Sequence, residues 1–192
     1  MLTVMDTIRQ RRSVRSFKPD PVRQDVIDLM LEAARLAPSG SNRQPWRFQV
    51  VTDSALRQRI FDEATYGSKH ILEAPLIIVC GCELLTYVRG NPLAPSNSAL
   101  VAEGEDWPSL KPFIPDAAMN MAIAVEHMVL VATAEGVGTC WVQRIKPAQL
   151  ARLLGWPPTV AVILLLLAGY AREEPMPKPR LPIDSILIKP WR

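Results

Sequence analysis

Ala33-Ala34-Arg35-Leu36-Ala37-Pro38-Ser39-Gly40-Ser41-Asn42-Arg43-Gln44-Pro45-Trp46-Arg47-Phe48 joins two periodicities. Upstream, Val22, Val26, Leu29, Met30, Ala33 and Ala37 recur at helical spacing from Pro21, and Pro38-Ser39-Gly40 ends that helix. Downstream, Arg47 to Thr52 reads as a strand. Between them lie small turn residues and the side-chain amides of Asn42 and Gln44, which offer both donors and acceptors. A loop fixed at both ends is carried to one defined place, and amides there can read the polar edge of a heterocycle.

Ahead of it, Arg11-Arg12-Ser13-Val14-Arg15 sets three guanidinium groups and a hydroxyl within five residues, a density suited to a phosphate and a polar ring edge. In isolation the run equally describes a solvated basic helix end that complements the helix dipole. Thr3, with Asp6 three residues on, caps the short helix that runs into it.

The remainder alternates strands and helices. Asp53 starts a helix through Phe61, Leu76 to Cys80 is a strand after Pro75, and Ala117 to Ala134 is a helix apolar around nearly its whole circumference, so it is expected at the centre, enclosed on most sides. A short strand at Thr139 to Val142 and a helix from Pro147 to Leu154 stopped by Gly155 precede Val160 to Ala168, whose unbroken apolar run suits a strand buried on both faces. Prolines crowd residues 84 to 115, which read as a surface excursion without continuous regular structure. The tail from Glu173 to Arg192 holds five prolines, yet Ile183, Ile186, Leu187, Ile188 and Trp191 are too apolar to leave in water. It either docks on its own domain or, the favoured expectation, wraps around a second subunit. With no linker or internal repeat, residues 1 to 192 are expected to form one domain.

Composition excludes more than it identifies. Lys and Arg exceed Asp and Glu by 22 to 19, and no long basic run concentrates the excess, so nucleic acid is not an expected partner. The N-terminus lacks the apolar core of a secretory signal and no stretch is read as crossing a bilayer, which leaves a cytoplasmic protein without a membrane partner as the expectation. Cys80, Cys82 and Cys140 suit reduced core thiols better than a disulfide framework or a zinc site, and no metal is expected. His127 reads as a satisfied core residue and His70 as a partly exposed helix start. No glycine fingerprint of a Rossmann nucleotide site follows a strand.

The arginine-serine run, the Pro-Ser-x-x-Asn-x-Gln-Pro-Trp segment from Pro38, Gly136-Val137-Gly138-Thr139-Cys140-Trp141-Val142, and Gly169-Tyr170-Ala171 with Lys178-Pro179-Arg180 together closely resemble the nitroreductase family. The resemblance implies an α+β fold with a central mixed β-sheet flanked by helices, and a homodimer whose C-terminal segments are exchanged. It also implies noncovalent FMN between subunits, with NADH or NADPH as electron donor. Carried over by position, Arg11, Ser13, Lys178 and Arg180 are the implied phosphate and ribityl contacts, with Arg12 nearby, and Arg15 faces the flavin N1 edge as the electrostatic catalyst. Pro38, Ser39, Gly40, Asn42 and Gln44 resemble the partner's loop against the ring, and the backbone of Trp141, Val142 and Gln143 the edge near N5. Trp46 and Trp141 also read as plain core aromatics and Lys178 as a solvated tail charge. Where some relatives place an asparagine and a lysine on the flavin, this sequence has Gly67 and His70.

The implied activity is ping-pong hydride transfer from NAD(P)H through flavin N5 to a nitroaromatic, quinone or related small-molecule acceptor. Relatives that fragment flavin to the B12 lower ligand or dehalogenate aromatic rings, and a non-catalytic flavin carrier, are the alternatives.

Overall fold

The computed structural model describes residues 2–90 and 107–188. Its organising strand is β4 (Val160–Gly169), which carries no polar side chain and is buried at every position but Ile163. It lies inside a four-stranded sheet ordered β1-β2-β4-β3, with β1 (Trp46–Val51), β2 (Leu76–Glu83) and β3 (Gly138–Val142). The sheet expected to be mixed is antiparallel at all three strand pairings, and the parallel pairing found among the described residues is the isolated bridge Ser13–Thr139. An unbroken apolar run signals burial on both faces, usual in parallel sheets, but carries no strand direction.

Alternate residues of β4 serve different cores. Ala161, Leu164, Leu166 and Ala168 join one cluster with α2 (Gln24–Arg35) and α7 (Ile114–Ala134), while Val162, Leu165 and Leu167 join the other with α3 (Ser54–Ala64) and α8 (Pro147–Leu154). Opposite Cys80–Gly81 the register steps from Leu164 to Val162, so Ile163 bulges and the parity of inward-facing residues shifts there. Remaining helical pieces are α1 (Val4–Gln10), α4 (His70–Glu73), α5 (Leu85–Arg89) and α6 (Trp107–Leu110), with 3₁₀ turns at Gly40–Asn42, Lys111–Phe113 and Ile183–Ile186.

Local signals act where the sequence places them. Thr3 and Asp6 close a reciprocal capping box on α1, and Asp53 accepts from the Leu56 amide at 2.7 Å to start α3. Gly155, at φ +67°, stops α8. The helix expected from Pro21 begins three residues later, and Leu29 lies on its flank, 47% exposed, because Val22, Val26, Met30 and Ala34 form the buried stripe.

Three expectations change. The excursion over 84–115 is narrower: Leu84 and Tyr87 at α5, and Leu110 at α6, are buried core residues, Tyr87 stacks on Phe113 at 5.7 Å, and residues 91–106 lie outside the described set. Pro112 and Pro115 sit at the first positions of their helical elements, where a missing amide hydrogen costs no helical bond. Second, Pro108–Ala134 is, by length and composition alone, apolar enough to span a bilayer, but its segment is 44% buried and packs on α2 and the sheet as a core helix does. Third, among the described residues α7 is fully covered along one side: Ala117, Met121, Ala124, Met128 and Ala132 are buried, whereas Met119 is 66% exposed and Ile123 and Leu130 are partly covered.

Cys80, Cys82 and Cys140 are buried free thiols; burial pushes Cys80 and Cys140 up and Cys82 up to about 12, so none is a poised redox group. The Trp191 part of the tail lies outside the described residues, and Met176, Leu181, Ile183, Ile186 and Ile188 are exposed, uncovered by their own chain.

Two-sided burial makes neighbours on β4 equally intolerant. Leu164→Ala and Leu165→Ala should each cost about 2–5 kcal/mol in chemical denaturation, through lost transfer energy and a residual cavity. A sheet with one wet face would show one costly and one nearly neutral substitution, and that outcome would overturn the layering.

Candidate functional site

After α1 the chain turns extended and runs along the outer edge of β3. The Val14 amide donates to the Thr139 carbonyl at 2.9 Å, and Ser13 bridges Thr139 in parallel. This approach depends on Gly138: a Cβ there would run into the Val14 side chain. Gly136, at φ +74°, supplies the left-handed turn that closes α7 and directs the chain into β3, with the Val137 amide on the Ala132 carbonyl at 2.8 Å. Both glycines of the Gly136-Val137-Gly138 motif therefore set the arginine segment against the sheet.

The same segment meets the start of the tail. Phe17 bridges Ala171, the Lys18 amide donates to Tyr170 at 2.8 Å, and the Arg172 guanidinium reaches the Phe17 carbonyl at 3.0 Å. The tail then returns over the arginines and closes a cleft of about 1000 Å³ in which Arg11, Arg12, Ser13, Arg15, Lys178 and Arg180 come together. Glu173 and Glu174 stand at the same cleft. Residues about 165 apart in sequence thus assemble one cationic pocket, whose charge and donor set fit a phosphate and hydroxylated chain.

The cations do not play equal parts. Arg12 Nη1 donates to the carbonyls of Arg9 at 2.6 Å and Arg11 at 2.9 Å, so its guanidinium caps α1 while lining the cleft. Arg15 is exposed, and its guanidinium makes a long 3.5 Å contact with the Ser13 carbonyl. None of Arg11, Arg15, Lys178 and Arg180 makes an ion pair with a carboxylate among the described residues. The charge of Arg15 reaches His70, a half-buried imidazole that burial, then Arg15, holds below its ordinary range and hence neutral at pH 7.

The second predicted group stands elsewhere in this chain. Neither Pro38–Gln44 nor Trp141–Gln143 lines the cleft. Trp141 is half-buried against the first core, Val142 is buried in the second, and Gln143 is exposed as β3 ends. Trp46 is a core aromatic, and His127 Nδ1 meets the Ala33 carbonyl at 3.2 Å, the satisfied core role expected of it. The loop itself is strained. Ser41, Asn42 and Gln44, none of them glycine, adopt φ of +52°, +52° and +47°. Such backbone persists where surroundings over-determine it, and marks functional sites. Here the Ser39 hydroxyl accepts from the Gln44 amide at 2.9 Å, Gln44 Nε2 donates to Asn42 Oδ1 at 3.2 Å, and Asn120 Oδ1 accepts from the Gly40 amide at 3.0 Å.

Asn120 is the positioning residue that sequence reasoning passed over. Its Nδ2 donates to the Tyr87 hydroxyl at 2.6 Å, and Tyr87 lies under the Arg43 guanidinium at 5.2 Å, which itself donates to the Gly40 carbonyl. One buried polar residue in a helix of Ala, Met and Val was the available signal.

With this geometry in view, comparison with known proteins is decisive on family. Residues 8–170 match the Nitroreductase family, and the chain belongs to it. It is 31% identical over 202 residues to "NADH dehydrogenase" of Thermus thermophilus, covering 95% of this chain and 93% of that protein. It is 29% identical to "5,6-dimethylbenzimidazole synthase" of Rhodospirillum rubrum over 88% of this chain and 82% of that one. A putative nitroreductase in complex with FMN from Desulfovibrio desulfuricans shares the fold at a TM-score of 0.75 and 25% identity, over 99% and 98% of the two chains.

Asn120→Ala should free the Gly40 amide and strand the Tyr87 hydroxyl, at about 1–3 kcal/mol. The urea midpoint falls with the slope unchanged, and amide exchange quickens at Gly40 and Asn42. Exchange there no faster than in the parent protein would show that Asn120 does not hold the loop.

Proposed function

We propose that this chain is an FMN-dependent NAD(P)H oxidoreductase acting as a homodimer, with hydride entering at the flavin and leaving to a nitroaromatic, quinone or related acceptor. One observation carries the reading: the convergence of Arg11, Ser13 and Arg15 with Lys178 and Arg180 in one cleft. FMN supplies the two-electron carrier. Around it, Arg11, Ser13, Lys178 and Arg180 would hold the phosphate and ribityl chain. Arg12, pinned on the α1 carbonyls, would keep that wall rigid. Arg15 would set a positive charge at the N1 edge.

Dimerisation follows from what this chain leaves unfinished. The loop Pro38–Gln44 is rigidly held yet stands away from the cleft of its own chain, so it suits the ring bound by a partner subunit. Met119 of α7 and the tail residues Met176, Leu181, Ile183 and Ile188 expose apolar surface that an exchanged tail and a second α7 would cover. Similarity to a protein named NADH dehydrogenase supports a nicotinamide donor, and the sequence lacks a separate fingerprint for one. Donor and acceptor then share one pocket in turn.

The purified protein should be yellow, bind FMN far more tightly than riboflavin by fluorescence quenching, and give parallel double-reciprocal plots with a quinone acceptor. Equal affinity for the two flavins would remove the phosphate role of the cleft. Net consumption of the flavin itself under NADH and oxygen would move the protein to the flavin-fragmenting reaction of its benzimidazole-synthase relative.

Arg15 gives a sharper test. Reduction places negative charge at the N1 edge, and a hydrogen bond to a charged group contributes roughly 1.5–3 kcal/mol, so Arg15→Gln should lower the two-electron potential by about 30–65 mV. Affinity for oxidised FMN should fall less than in Arg11→Gln or Arg180→Gln. A dye-coupled redox titration with an unchanged midpoint would show that Arg15 faces something else.

A further inference from the structure

A second concentration of cationic and aromatic groups lies outside the cleft. Tyr66 is 61% exposed, and two cations stand by its ring, Arg144 Cζ at 5.9 Å and Lys146 Nζ at 5.7 Å from the centroid. The backbone builds this arrangement. Thr65 and Ile145 form an antiparallel bridge, the Lys146 amide donates to the Ala64 carbonyl at 2.8 Å, and Gly67 at φ +80° turns the chain away, its amide on Thr65 Oγ1. Neither cation makes an ion pair with a carboxylate among the described residues. Glu63, whose carbonyl Lys146 Nζ approaches at 3.5 Å, gives its carboxylate to Arg59.

The ledge is tied to the edge strand that carries the arginine segment. Ser13 bridges Thr139 in parallel, and Arg144 follows the end of β3 at Val142 by two residues, where the Ile145 amide donates to the Gln143 carbonyl at 2.9 Å and turns the chain. The charge of Arg15 also reaches His70, four residues beyond Tyr66. An exposed aromatic ring with two cations over it, neither in an ion pair with a carboxylate among the described residues, suits a planar base carrying phosphate.

We infer that Tyr66, Arg144 and Lys146 dock the adenosine half of the nicotinamide donor, the two cations taking its 2′-phosphate, so that the enzyme prefers NADPH to NADH. This rests on the donor reading above. The preference comes from local charge on an exposed surface, so it weakens as salt rises.

The test uses full-length, FMN-loaded protein and two readouts. Stopped-flow flavin reduction should favour NADPH, and Arg144→Ala/Lys146→Ala should lower the NADPH:NADH ratio of kcat/KM by about tenfold or more, through KM, with Arg144→Lys restoring part of it. Calorimetric titration with adenosine 2′,5′-bisphosphate should show tighter binding than with 5′-AMP, a difference lost in the double variant and reduced in Tyr66→Leu. An unchanged donor ratio, or equal binding of the two adenosine ligands, overturns the ledge. So does a double variant that loses affinity only for a carboxylated aromatic acceptor. Failure of FMN to bind, or to be reduced by either donor, would instead overturn the proposed function, while the calorimetric titration would still report on the ledge.

Discussion

Covering β4 on both faces is the constraint from which the rest follows. Each fully buried leucine side chain contributes about 1.5–3 kcal/mol, and Leu164 to Leu167 present four in succession to opposite sides. A strand of this kind cannot sit at an edge or against water. It requires a neighbour on each side, which β2 and β3 provide, and a helical layer on each face, which α2 with α7 and α3 with α8 provide. Once β3 is fixed at the sheet edge, its outer hydrogen-bonding side is open to pairing, the arginine segment lies along it, and Gly138 removes the side chain that would prevent this approach. The arginine segment is attached to the core at the point where the core ends.

The arginine segment carries charge that no carboxylate ion pair among the described residues answers. Guanidinium groups placed beside one another repel, and a protein without use for them would scatter them or pair them with carboxylates. Arg23, Arg35 and Arg59 are handled that way, paired with Asp25, Glu32 and Glu63. Arg11, Arg15, Lys178 and Arg180 are gathered in one concavity without such partners among the described residues. The same molecule thus treats its cations in two ways, and the gathered set is the one that lines the cleft.

Much of this was legible in the sequence, and the limits have identifiable causes. Caps and stops were read because they are local: Thr3 with Asp6, Asp53, Pro147 and Gly155 act through neighbours a few residues away. Two-sided burial of Val160 to Ala168 was legible from composition, but strand direction was not, since an apolar run is the same read either way. Residues 84–90 misled because Pro92, Pro95 and their successors dominate the reading of the whole stretch, although Leu84 and Tyr87 ahead of them are core residues. The network of Asn120, Tyr87 and Arg43 joins three elements through contacts 33 and 80 residues apart in sequence, and no window or spacing rule brings those together.

That network also explains why the polar loop can be both strained and dependable. Three positive-φ non-glycine residues within four positions, Ser41, Asn42 and Gln44, cost backbone energy that a free loop would relax. Asn120 reaches the loop from α7, the same helix whose opposite flank is left uncovered by this chain. The helix that fixes the loop is therefore also the helix that would meet a second subunit. In a dimer built on α7, each subunit would present a pre-formed loop to the neighbouring cleft without paying for its ordering on assembly. The arrangement of buried amide, strained loop and exposed flank on one helix makes sense if rigidity at the subunit boundary is what the site requires.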